Sequence, residues 1–151
     1  MSQYAQKTEV PIDRSKAEIE KTLERYGADQ FYFGWDKETG RVALGFRIEC
    51  RQVRVILPMP DIADFRLTTT GRARTASSQR TEWEQACKQR WRALALVIKA
   101  KLEAVECGIS TIEREFLADV LLPNGMTFHQ WAAPQLIEAY EGGHMPPLLP
   151  A

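Results

Sequence analysis

The sequence predicts an α+β fold: a three-stranded antiparallel meander, with room for an N-terminal edge strand, packed against one long helix and several shorter ones. Two observations carry this. Three consecutive runs alternate apolar and polar residues with period two and are separated by turn residues, and the later stretch 79–107 repeats its apolar positions with the 3.6-residue period of a helix.

The elements follow in order. Thr8 to Ile12 reads as extended, and Ser15 followed three residues later by Glu18 matches a capping box, which predicts a helix over about 15–26 stopped by Gly27. Its apolar residues Ile19, Leu23 and Tyr26 form one narrow stripe. The first strand, about 30–35, sets Phe31, Phe33 and Trp35 on one face. Asp36 to Gly40 then makes a hairpin loop, and the runs 42–48 and about 52–57 give two more strands ended by Pro58 and Pro60. Periodicity then disappears, so 61–80 is expected to be a mobile basic loop carrying Arg66, Arg72 and Arg74.

Thr81 and Glu84 resemble a second capping box at the head of the long helix, whose Trp83, Cys87, Trp91, Leu94, Ile98, Leu102 and Val105 make a core stripe. Beside it runs a strip of alanines (86, 93, 100, 104). Lys88, Arg92 and Lys99 line up on the opposite side. Ser110 with Glu113, and Thr127 with Gln130, predict two short helices near 110–119 and 127–141, the last of them kinked or restarted by Pro134. Residues 143–151, with Met145, Pro146 and Pro147 leading into two leucines, read as an extended apolar tail.

Length and composition place these elements in one domain spanning 1–151. At 151 residues, 44% hydrophobic and 26% charged, the chain is long enough to bury a core without staples. Three cysteines (50, 87, 107) without a C-x-x-C pair signal neither a disulfide framework nor zinc. The first residues lack an apolar signal core, and the longest apolar run, Ala93 to Ile98, cannot span a bilayer, so a cytoplasmic protein without a membrane partner is expected.

No phosphate loop, dinucleotide fingerprint, zinc-protease helix or nucleophile elbow occurs, so no catalytic residue, metal or cofactor is assigned. The acid pairs Glu18 and Glu20, Glu82 and Glu84, and Glu113 and Glu115 each stand two apart on a helix and point in different directions.

Charge distribution is more informative than the zero net charge. Between Arg41 and Lys101 there are thirteen Lys or Arg against five acids, a net of +8, while 102–151 sums to −6. Either the acidic flanks fold back and neutralise the basic middle, or the middle meets an anionic partner. If Cys50 and Arg51 form a two-residue turn, Arg47 lies directly across from Arg54 on the open sheet face that also carries Tyr32. Like charges in that position need a counter-charge, which Glu49 or a bound phosphate would supply. Lys88, Arg92 and Lys99, with the loop residues Arg72 and Arg74, form a second candidate surface able to track a phosphate backbone.

The stretches from Thr8 to Leu23, from Arg90 to Val105 and from Met145 to Pro150 resemble small tailed-phage and prophage proteins of unknown function. The resemblance covers most of the chain outside 66–80 and implies a phage setting without supplying an activity or a site. With it, the eight residues named above suggest a non-catalytic accessory protein that binds nucleic acid, single strands in preference. The alternative is an anti-defence inhibitor or sponge, a homo-oligomer that holds a host defence protein or its nucleotide messenger, with the alanine strip and apolar tail packed between subunits.

Overall fold

The computed structural model describes residues 8–145; the apolar tail beyond Met145 lies outside them. Helix α1 (Ile12–Arg25) is followed by strands β1 (Gln30–Asp36), β2 (Arg41–Ile48) and β3 (Arg51–Pro58). A 3₁₀ turn (Ile62–Phe65) leads to the long helix α2 (Ala76–Glu106), then the short α3 (Ile112–Phe116), a second 3₁₀ turn (Leu117–Asp119) and α4 (Phe128–Gly142). The α+β class and the antiparallel order β1-β2-β3 are as the periodicity predicts. Residues 8–10 join no strand.

One sheet face is apolar because the alternation puts Phe33, Leu44 and Val55 in one cross-strand row and Phe31, Phe46 and Val53 in the next. Helices α1 and α2 cover it. Leu44, Phe46 and Ile48 are fully buried together with Ile19 and Leu23 of α1, Trp91, Ile98 and Leu102 of α2, and Phe116. Phe46 meets Phe116 edge to face at 5.3 Å, which ties α3 to the sheet centre. Beyond it, Val120 bridges Val53, and the Leu121 amide donates to the Gln52 carbonyl at 2.8 Å, so a short segment shields the outer edge of β3.

The local signals at helix starts mostly move. Helix α1 begins at Ile12 after the extended Pro11, so Ser15 lies inside the first turn, buried, its Oγ without a hydrogen bond, and is not a cap. Helix α2 begins at Ala76, where the Thr75 side chain accepts from the Ser78 amide; Thr81 instead donates to the Ser77 carbonyl. Thr111, not Ser110, caps α3. At α4 the expectation holds in full: Thr127 and Gln130 make a reciprocal capping box. The helix then runs through Pro134 to Gly142.

The segment expected to be irregular contains the 3₁₀ turn, the first residues of α2 and a small hairpin in which Leu67 bridges Ala73. Arg74 donates to the carbonyls of Leu67 and Phe65 at 2.7 and 3.3 Å and so staples that hairpin.

The β2–β3 turn also differs. Glu49 and Cys50 are its two central residues, with φ of 47° and 61°, and Ile48 pairs with Arg51. Pairing is therefore shifted by two residues: Arg47 faces Gln52, and Arg54 faces Gly45. The left-handed backbone that a two-residue turn requires usually selects Asn-Gly, and Glu-Cys gives no such signal.

Candidate ligand-binding cleft

The shifted register separates the two arginines of the open sheet face. Arg47 donates from Nε and Nη2 to both carboxylate oxygens of Asp29, at 2.8 and 2.6 Å, and those bonds hold the Asp29 carboxyl below its ordinary pKa. Arg54 donates to the Gly125 carbonyl at 3.0 Å and to Gln130 Oε1 at 3.5 Å. The Tyr32 ring lies over Gly45; a methyl there would sit 1.9 Å from its Cζ, so only glycine lets the ring lie against the sheet. Glu49 is not the counter-charge; Asp29 is.

Lys88, Arg92 and Lys99 do share one side of α2, but that helix lies on the covered face of the sheet, and α1 packs against α2 there. Arg92 donates to Glu18 of α1, while Lys99 borders a mixed-charge hollow with Glu18 and Glu103. Arg72 is exposed on the hairpin, and Arg74 is engaged within it. The eight candidates thus occupy three surfaces and do not converge. Three of the four ion pairs among the described residues (Arg47 with Asp29, Arg51 with Glu113, Arg92 with Glu18) join a cation of the basic middle to an acid from a flank. The fourth, Arg80 with Glu84, is a local i, i+4 pair.

One of the eight, Lys88, does border a concavity. Where the start of α1 and the first half of α2 cross the end of the β1–β2 hairpin, they enclose an open cleft of about 740 Å³, inside the range of small-molecule sites. Its walls are aromatic. Trp91, buried at the back, meets Phe33 edge to face at 5.2 Å. Trp83 is fixed at the mouth by its indole N–H, which donates to the Pro60 carbonyl at 2.8 Å. Trp35, at the end of β1, is 70% exposed. Three of the chain's four tryptophans therefore line one site.

Charge in the cleft comes from α1 and α2. The Lys16 ammonium stands 4.9 Å from the Trp91 ring centroid and 5.6 Å from that of Phe33, a cation–π arrangement. Lys88 lies one turn beyond Glu84, whose carboxylate is taken by Arg80. Asp13 is the remaining acid of the lining. Among the described residues neither lysine has an ion-pair partner. Burial pushes the Cys87 thiol at the cleft wall above its ordinary pKa, more than nearby Arg90 pulls it down, so it is a protonated apolar group and not a nucleophile at neutral pH.

The site was hidden by the same rule that reveals the core. Trp35 and Trp83 continue the core-face periodicity of β1 and α2, but each stands near the end of its element, where the opposing layer stops. The available signal was three tryptophans on the core-face periodicity, with Lys16 near the start of α1 and Lys88 in the first half of α2. Among the described residues no helix is long and apolar enough to cross a membrane, and no group of three His, Cys, Asp or Glu side chains is placed to hold a metal ion. Comparison with family models, with curated proteins and with solved structures finds no match to this chain.

Proposed function

We propose that the protein is a non-catalytic binding protein whose aromatic cleft takes a planar, anionic small molecule of the nucleotide class. The observation that carries this reading is the pairing of a largely exposed Trp35 with two lysines that have no ion-pair partner among the described residues, in one concave site. A large indole left in water forgoes the burial that drives folding, and a base stacked on it recovers that free energy, about 1–3 kcal/mol per stack. The lysines then meet phosphate as point charges. In the phage setting that the resemblance implies, such a protein would act as a sponge for a defence messenger.

Binding of a long single strand has less support. Arg47, Arg54, Arg74 and Arg92 already hold protein acceptors, and the eight residues first proposed for that path lie on separate surfaces.

Thermal shift and tryptophan quenching against mononucleotides, cyclic dinucleotides and single-stranded oligonucleotides test the reading. A mononucleotide or cyclic dinucleotide is expected to stabilise the protein, and Trp35→Ala or Lys88→Glu to weaken binding about 5- to 100-fold. No response to any nucleotide, or a response unchanged in both variants, rejects it. Stabilisation by oligonucleotides alone would restore the single-strand reading.

A further inference from the structure

Helix α4 carries an apolar stripe that nothing in the described chain covers. At about 100° per residue, Phe128, Trp131, Ala132 and Ala139 turn toward the body and are half-buried, while the exposed Leu136, Ile137 and Tyr140, with the half-buried Ala133, fall on a second stripe, about 100° wide. None of the fifteen residues of α4 is fully buried. Leu136 is 51% exposed, Ile137 59% and Tyr140 88%. The spacing Ala133, Leu136, Ile137, Tyr140 is that of a seam between two paired helices.

We infer that this stripe is the interface of a two-fold homodimer in which the α4 helices of two copies pack antiparallel. Charge argues for a second copy and sets its direction. The guanidinium of Arg54 reaches Gln130 Oε1 at the start of α4 and has no ion-pair partner among the described residues. The end of α4 carries Glu138 and Glu141. Gln130 and Glu141 flank the stripe on the same side, separated by only about 20° around the helix. A two-fold axis near Leu136 therefore sets Glu141 of each copy beside the Gln130 and Arg54 end of the other. A parallel pair would instead bring the acids abreast and align the two helix dipoles, both unfavourable.

Area fits the same conclusion. Leu136, Ile137 and Tyr140 leave on the order of 400 Å² per copy, so pairing covers roughly 800 Å² in total from these residues, the low end of interface size and the signature of a weak dimer. No residue of the aromatic cleft belongs to α4, so the dimer stands or falls independently of the ligand.

Sedimentation velocity on the full chain across the micromolar range tests it. The wild type is expected to pass from monomer to dimer, and Ile137→Glu to weaken the dimer at least about 30-fold while keeping its far-UV spectrum. Glu141→Arg is expected to weaken it by reversing the cross-helix charge, and Arg54→Glu in the same chain to restore it. A wild type that is monomeric at every concentration, including one that adheres to lipid vesicles instead, overturns the proposal. So does a dimer indifferent to Ile137→Glu; a dimer indifferent to Glu141→Arg overturns the antiparallel arrangement.

Discussion

Asp119 and the pair Glu49–Cys50 show how single residues work against the fold. Burial pushes the Asp119 carboxyl above its ordinary pKa, and Lys101 and His129 only partly offset it. A raised folded-state pKa means that the folded protein binds the proton more tightly than the unfolded chain does. Ionised Asp119 therefore costs stability at neutral pH, and the cost is removed as pH falls through its folded-state value toward the ordinary one. Asp119→Asn is expected to raise the Tm at pH 7, with the gain shrinking on acidification through that window; an equal gain at all pH values would assign it to something other than charge. Glu49 and Cys50 hold left-handed backbone without the glycine or asparagine that adopts it freely. Replacing them together by Asn and Gly is expected to stabilise the protein by about 1–2 kcal/mol, read from the urea midpoint at unchanged slope. That strain also explains why the sequence misplaced the turn. Nothing in a Glu-Cys dipeptide marks a positive φ, and a turn placed one residue late shifted the pairing by two and set Arg47 against Arg54.

At the scale of elements, strands and long helices were legible because burial against one layer imposes a period, and Leu44, Phe46, Trp91 and Ile98 all obey it. Helix starts, α4 excepted, were not, because a Ser or Thr three residues before a Glu is frequent inside helices, and what decides the cap is the extended residue before it. Pro11 and Thr75 supply that conformation at α1 and α2. Freed from capping, Glu18 crosses to Arg92 and ties α1 to α2, reinforced by the Tyr26 hydroxyl, which donates to Glu103 at 2.6 Å. Glu18→Gln is expected to cost about 1–2 kcal/mol in chemical denaturation, because it leaves a partly buried guanidinium without its charge partner. Glu20→Gln, on the exposed side of the same helix, should leave stability within about 0.5 kcal/mol of wild type. Equal effects of the two would remove the tie between the helices.

For the molecule as a whole, the linear charge asymmetry records how the chain folds. Cations of the middle segment reach acids on either flank, from Asp29 before the sheet to Glu113 after the long helix. Of the two outcomes that the charge pattern allowed, self-neutralisation accounts for these pairs, and it withdraws the most prominent arginines from any external ligand. Apart from Lys88, neither the aromatic cleft nor the α4 stripe could be read from charge. Both are made of residues whose apolar character is ordinary and whose exposure depends on where neighbouring layers end, a property of three-dimensional extent that no window of sequence contains.

Helix α2 has 31 residues and so runs about 46 Å, whereas even the eight-residue strands β2 and β3 span only about 27 Å. Two layers of such unequal reach cannot cover one another, and the surplus must hang beyond the sheet as an overhang. Hollow space at the edge of this molecule is thus a remainder of mismatched lengths, and it can be widened or closed by trading turns of one helix while the buried centre stays as it is.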